Sequence, residues 1–404
     1  MTMDKRIYID IFAGCGGLST GLLNAGWRGL FVIEKNADAF STLKYNLINN
    51  KEHFLWPTWL PIRECDIDEL LKKHEKELQE LQGKVTLVAG GPPCQGFSMA
   101  GKRDKNDKRN KLVKSYIKFI KLVLPEVIIF ENVHGFIVNF KDKKGTKQYS
   151  SYVERALKRL SYKTMHQIVD MSEYGIPQNR KRFILVAMRN HSPKKVFEML
   201  NSNKESFCRA KGIACSTTVY EAISDLEKVH GTRPSPDTKG FQAGLYGSIQ
   251  SGYQRLMRQG IPSQSDVVDS HRFVNHRKAT IDLHNDLLVY APIGKRITPN
   301  DNIVSNLNRR GVTVLNKATQ APTITSIPDE IVHYTEPRIL TVREYARIQS
   351  FPDWFEFKGK YTSGGERRKQ EVPRYTQVGN AVPPLFAEQI GLAILEVLSN
   401  DKNE

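Results

Sequence analysis

Cysteine is scarce in this chain of 404 residues. The five present, Cys15, Cys65, Cys94, Cys208 and Cys215, include no C-x-x-C pair. That excludes a disulfide framework and a zinc site, so no metal is expected, and it fits a reducing cytoplasm. Long apolar runs are missing too. Nothing approaches the roughly eighteen residues of a membrane-crossing helix, and no membrane partner is expected. The first residues, Met1-Thr2-Met3-Asp4-Lys5-Arg6, lead into a strand-like run and do not resemble a signal peptide. No internal repeat and no helix-turn-helix pattern stand out. Acid is in deficit: 43 Asp and Glu face 60 Lys and Arg, a formal charge of +17. Such an excess favours a polyanionic partner, nucleic acid before membrane. A basic protein with no such partner would fit the charge alone nearly as well.

What is present begins with Gly90-Gly91-Pro92-Pro93-Cys94-Gln95-Gly96-Phe97-Ser98. It follows the apolar run Val85 to Ala89, a buried strand by pattern. Gly and Pro stop that strand in a tight turn. Open α/β sheets bind ligands at the carboxyl ends of their strands, so Cys94 sits where a thiol can be approached and ionised. A buried loop cysteine without chemistry is the plain alternative.

Earlier in the chain, the β-prone run Ile7 to Phe12 leads into Ala13-Gly14-Cys15-Gly16-Gly17, which opens a helix through Ala25. Strand, glycine turn and helix N-terminus make a nucleotide-type site. A second strand, Leu30 to Ile33, ends in Glu34, about 20 residues past the first glycine, where a carboxylate meets ribose hydroxyls. The glycines do not fit G-x-G-x-x-G, which counts against a nicotinamide dehydrogenase. Asp66 precedes a charged helix from Glu69 to about Leu81, and its own pattern favours a helix cap over a base contact.

Beyond Cys94, Gly101 to Lys111 is a basic loop without apolar residues, able to close over a phosphate backbone or to stand as a solvated linker. Leu112 to Leu124 has helical apolar spacing and ends at Pro125. The strand Val127 to Phe130 is followed by Glu131-Asn132-Val133. A right-handed crossover would bring Cys94 and Glu131 to one sheet edge. Arg180 and Arg182 alternate before the strand Phe183 to Met188, and both could face Glu131. Residues 191–330 lose the β/α alternation and mix aromatics with bases, as in Tyr246, Tyr253, Arg255, Arg258, His271 and Arg272. Thr341-Val342-Arg343-Glu344 starts a helix to about Gln349. Gly379-Asn380-Ala381-Val382-Pro383-Pro384 precedes a last helix that needs a core to pack on.

Taken together, these motifs resemble those of the DNA (cytosine-5) methyltransferases, above all the compact bacterial restriction–modification type. The resemblance covers roughly residues 7–190 and 338–398. It implies an α/β, Rossmann-like S-adenosylmethionine-dependent methyltransferase sheet with a second, smaller irregular β/loop domain. The expected divisions are 1–190 for catalysis and cofactor, 191–337 for target recognition, and 338–404 for a hinge and returning segment. By the same resemblance, Cys94 is the nucleophile, and Glu131, Arg180 and Arg182 complete the catalytic set. S-adenosylmethionine would meet Phe12, Gly14, Cys15, Gly17, Glu34, Asp66, Ile67, Pro93, Leu112, Asn380 and Val382. Gln95, Ser98, Lys102, Arg103 and Arg109 would touch the nucleic acid. Lys35 stands where some members carry an aromatic that stacks on adenine. The implied partners are double-stranded DNA and a restriction endonuclease with the same target site, with the enzyme a cytoplasmic monomer. A tRNA cytosine methyltransferase of the same fold and a catalytically silent DNA-binding regulator stay open as alternatives.

Overall fold

The computed structural model describes residues 6–93, 109–137, 140–142, 145–147, 149–262, 265, 268–305, 307, 311–362 and 371–400. The chain divides into two compact units. The first comprises Met1–Asp170, Lys181–Asn203 and Phe386–Glu404; the second comprises Met171–Arg180 and Lys204–Leu385. This division runs elsewhere than the expected boundaries at 190 and 337. Residues 338–385 cluster with the middle of the chain, and only the last stretch returns to the first unit.

The first unit is built on six strands: β1 (Ile7–Ile11), β2 (Arg28–Ile33), β3 (Leu87–Gly90), β4 (Val127–Val133), β5 (Lys163–Asp170) and β6 (Lys181–Met188). Their order is β2-β1-β3-β4-β6-β5. β1, β2, β3 and β4 pair in parallel, and β6 runs antiparallel to both β4 and β5. The carboxyl ends of the four parallel strands therefore share one edge. That edge collects the glycine turn after β1, Glu34 after β2, Gly91 to Pro93 after β3, and Glu131 near the end of β4.

Helices cover the sheet: α1 (Gly17–Asn24), α2 (Ile67–Lys73), α3 (Arg109–Val123) and α4 (Tyr149–Lys158). α3 buries Val113, Tyr116, Ile120 and Val123, the helical spacing read from sequence. It ends as Pro125 requires, with Leu124 at φ 43° closing its N–H onto the Ile120 carbonyl at 2.8 Å. The single charged helix expected to reach Leu81 is two. It breaks at His74, whose ring leaves the helix line and packs 5.2 Å from Trp59, and Glu75–Gln79 resumes it.

The stretch expected to be strand and loop carries two long helices, α5 (Pro193–Ala210) and α6 (Lys278–Tyr290). Polar residues dominate α5, so its buried positions Val196, Phe197, Leu200 and Cys208 make only a thin helical stripe. The strands here are short: Thr232–Pro234 pairs with Gln242–Gly244, and Val312–Val314 lies between Arg296–Ile297 and Ile331–Val332. α7 (Val342–Ile348) starts at a capping box between Thr341 and Glu344, and every residue in it is buried.

α8 (Arg374–Asn380) and α9 (Pro384–Asn400) close the chain. Residues 374–400 are long and apolar enough to cross a bilayer by length and composition, but most of the stretch is buried within the protein. α9 packs on the first unit. Trp27 Nε1 donates to the Gly391 carbonyl at 3.1 Å, and a Cβ at Gly391 would press on Leu22 and Ala25.

Candidate active site

The turn after β1 requires glycine. Phe12, Gly14 and Gly16 take φ of 63°, 57° and 97°, so the backbone coils left-handed between strand and helix. The Gly14 N–H donates to Glu34 Oε2 at 2.8 Å, and the Asn36 N–H donates to Oε1 at 2.7 Å. Burial pushes the Glu34 carboxyl up, opposed by those N–H groups. No heavy atom lies within 4 Å of where a Gly14 Cβ would sit. The turn thus leaves open space over a backbone that a carboxylate holds in place, the cradle a nucleoside needs.

Other expected cofactor contacts fall into groups. Asp66 caps α2, accepting from the Asp68 N–H at 2.8 Å, and pairs with Lys35 Nζ at 2.6 Å. Partial burial works to raise its carboxyl, but Lys35 and the helix N–H groups outweigh that and hold it below the usual range. Phe12 and Leu112 are half-buried against the core. The Ile67 side chain is itself core, which leaves its backbone for a ligand. Cys15 is buried, and burial pushes its thiol up to about 12, so it serves packing rather than chemistry. Gly17 is buried at the start of α1, and Pro93 is exposed. Asn380 and Val382 belong to the second unit.

One residue here escaped the sequence reading. Asp10, in the middle of apolar β1, is buried and accepts from the Ser19 hydroxyl at 2.6 Å, tying strand to helix. Burial pushes its carboxyl up to about 7. The signal was available: an acid inside a buried strand, next to a glycine turn.

The other part of the edge is the stem of the Cys94 loop. Cys94, Gln95, Ser98, Lys102 and Arg103 lie outside the described residues, as does the side chain of Arg109, which opens α3. The stem itself is described. A Cβ on Gly90 would overlap the Ile11 carbonyl, and one on Gly91 would overlap the Glu131 carbonyl. Both glycines are needed because neighbouring strand backbones touch them. Asn132 Nδ2 then donates to the Pro92 carbonyl at 3.2 Å. The chain thus leaves β3 clamped against the two residues that end β4's catalytic-looking motif.

Glu131 meets Arg182 Nε at 3.3 Å. In the antiparallel register Arg182 lies opposite Val133, so it reaches Glu131 on the diagonal. Burial holds the Arg182 guanidinium below its ordinary value, and Glu131 offsets this in part. The expectation had both arginines facing Glu131. Arg180 has another set of partners: it is buried in the second unit and donates to the carbonyls of Gly379 and Ala381, both at 3.1 Å. Carbonyls at a helix C-terminus lack helical partners, and a buried guanidinium needs acceptors, so each satisfies the other. Gln349 Nε2 supports the same turn, reaching the Val378 carbonyl at 3.1 Å and the Ala381 carbonyl at 2.6 Å. Among the described residues, no group of three or more His, Cys, Asp or Glu could hold a metal ion.

A model of the C-5 cytosine-specific DNA methylase family matches residues 7–396. The chain belongs to that family. The methylase is 29% identical to Type II methyltransferase M.DdeI of Desulfomicrobium norvegicum, over 95% of this chain and 86% of that protein. It is 28% identical to Type II methyltransferase M.XorII of Xanthomonas oryzae pv. oryzae, over 98% of this chain and 86% of that protein. A crystal structure of a prophage-encoded E. coli protein, described as a DNA modification methyltransferase, aligns with TM-score 0.64 at 23% identity, covering 98% of this chain and 99% of that one. The S. pombe Dnmt2 methyltransferase aligns with TM-score 0.55 at 15% identity, covering 97% and 99%. These two likenesses establish the fold. By family, the methylase is an enzyme of DNA cytosine C5 methylation.

Proposed function

We propose that the methylase transfers a methyl group from S-adenosylmethionine to C5 of a flipped-out cytosine, in a specific duplex sequence, through a transient bond between Cys94 Sγ and C6. The observation that carries this reading is the clamp on the loop stem: Gly91 against the Glu131 backbone, Asn132 on the Pro92 carbonyl, and Arg182 on the Glu131 carboxylate. It puts the base of the Cys94 loop beside the carboxylate that would meet the same ring.

Cytosine C5 is a weak nucleophile. Thiolate addition at C6 makes C5 enamine-like. A free thiol of pKa about 8.5 is only a few per cent ionised at neutral pH, and a nearby arginine raises that share. Glu131 carries a proton to N3 and takes up charge developing in the ring, while Arg182 holds the carboxyl in place. The cofactor, seated on Gly14 and Glu34, supplies an electrophilic methyl group. After transfer a base removes the C5 proton, its electron pair restores the C5–C6 double bond, and Cys94 leaves as thiolate. A stacked cytosine hides C6, so the nucleotide must leave the helix first.

The second unit reads the flanking sequence, consistent with its clustered aromatics and bases. The relatives named as Type II methyltransferases support a restriction–modification setting. In that setting a soluble cytoplasmic monomer protects DNA from an endonuclease with the same site.

Duplex DNA carrying 5-fluorocytosine at the target tests the chemistry. The wild-type chain with cofactor should form a covalent adduct. Cys94→Ser should form none while still binding DNA. Normal turnover in that variant would sink the assignment. Bisulfite sequencing of DNA from expressing cells gives the target, and plasmid against bulk tRNA as substrate decides the nucleic acid.

A further inference from the structure

We infer that Arg272 forms a seat for a single DNA phosphodiester in the second unit. Its guanidinium is held between two rings, Cζ lying 3.7 Å from the centroid of Tyr361 and 4.1 Å from that of Phe241. Arg374 stacks on Tyr361 as well, at 4.3 Å. The backbone is fixed too. Arg272 bridges Ala243, and its neighbours His271 and Phe273 exchange hydrogen bonds with Gly244 and Gln242.

Arg272 is only 9% exposed, yet no described residue accepts a hydrogen bond from it, and its Nε is buried without a partner. It lines a recess of about 270 Å³. Every other charge facing that recess is matched. Arg374 pairs with Asp237 at 2.6 Å, Lys358 with Glu356 at 2.6 Å, and Asp269 with Arg343 at 3.0 Å. His271 is neutral: burial lowers its pKa to about 3, and its ring nitrogens meet the Thr341 hydroxyl and the Leu226 carbonyl. One cation is left over. A buried, unpaired guanidinium is costly unless something arrives to satisfy it.

The ligand must bring one negative charge and several acceptors in a planar fork's reach. A phosphodiester does both. A base edge offers acceptors but leaves the charge uncompensated. Nucleic-acid chemistry is already the enzyme's business, so the source is the DNA backbone. This inference rests on the methyltransferase reading above.

The full chain, its Arg272→Met variant and its Arg272→Lys variant are titrated with labelled duplexes across a salt series. One duplex contains the methylation target and one does not. The Met variant should bind both duplexes about tenfold more weakly at low salt. Its slope of log K against log salt should shrink by about 0.9. The Lys variant should keep the slope but lose affinity, having charge without the fork. The unfolding midpoint of the DNA-free Met variant should not fall, since no described hydrogen bond is removed. Unchanged affinity and slope would overturn the inference, as would a loss confined to the target duplex, which marks a base contact. A loss that tracks a lowered unfolding midpoint would make Arg272 a packing residue. Inorganic phosphate stabilising the wild type but not the Met variant, with DNA binding equal, would assign the seat to free phosphate and overturn it. Wild-type methylation of plasmid DNA is run alongside. Its absence would defeat the functional reading; its presence with an unaffected Met variant defeats this inference alone.

Discussion

In the first unit the sheet's packing is aromatic: Phe130 meets Tyr116 and Phe136 at 5.2 Å, and Phe136 meets Phe183 at 5.4 Å. In the second unit the comparable position, around α7, is held by charge. Arg343, Glu344 and Arg347 are 0% exposed. Arg347 pairs with Asp353 at 2.6 Å and Asp225 at 3.3 Å, and Arg338 pairs with Glu344 at 2.7 Å. An apolar cluster is non-directional and can repack around a change. A buried ion network holds only while each member keeps its partner. The first unit thus gets a stiff platform for a glycine-lined edge. The second gets a fold whose geometry is set pair by pair.

The sharpest way to break this contrast is to remove one member from each core. Asp353→Ala strands Arg347 and should cost about 3–5 kcal/mol. Phe130→Leu, which keeps an apolar side chain, should cost about 1–2 kcal/mol. Urea unfolding followed by hydrogen exchange, read peptide by peptide, reports which unit opens. Equal losses, each spread over both units, would end the distinction.

Next in size is Gly91→Ala. The added Cβ meets the Glu131 carbonyl, so the stem of the Cys94 loop must shift. A displacement of about 1 Å at a reacting centre can cost about 100-fold in rate, and methylation should fall by that order while cofactor affinity, read by calorimetry, stays close to wild type. A variant that loses cofactor binding first would place Gly91 on the wrong side of the edge.

The same contrast explains what the sequence made readable. Apolar runs and helical spacing mark β1, β3 and α3 because their burial is apolar, and glycine and proline punctuate the edge. Asp10 and Asn132 went unremarked because a polar residue in a buried strand breaks the pattern being read. In the second unit the pattern fails outright: α7 is fully buried although Arg343, Glu344 and Arg347 make it look like a surface helix. Arg180 shows the limit of alternation. Its place two residues before Arg182 was plain, but its partners, the Gly379 and Ala381 carbonyls, lie about 200 positions away in sequence and leave no local mark.

Acid should act on the two units differently. In the second unit, burial lowers His271 from 6.5 to about 3 and His333 well below 6.5. Both are neutral when folded and take a proton when unfolded, so their stabilisation is complete above pH 6.5 and is lost as pH falls below it. In the first unit His53, lowered by burial to about 3, acts in that direction. Asp10 opposes it. Burial raises Asp10 from 3.8 to about 7, so between those values the folded unit holds a proton that the unfolded chain has released. That stabilisation grows as pH falls from 7 toward 4. Going from pH 7 to pH 5 should therefore destabilise the second unit more than the first, as read by exchange rates corrected for pH. A steeper loss in the first unit would contradict the burial of Asp10 as a protonated acid.

The smallest effect belongs to charge at the surface. Lys35 and Asp66 are 2.6 Å apart, but the Lys35 side chain is 79% exposed. An exposed pair of this kind contributes about 0–1 kcal/mol, so Lys35→Ala should barely move the unfolding midpoint. Asp66→Ala also removes the cap from α2 and should cost about 1 kcal/mol. The ordering matters more than either value. In the first unit a charge counts through the backbone it caps, whereas in the second it counts through the ion it faces. A Lys35→Ala loss as large as that of Asp66→Ala, persisting in high salt where exposed pairs are screened, would show side-chain pairing stabilising the first unit as it does around α7.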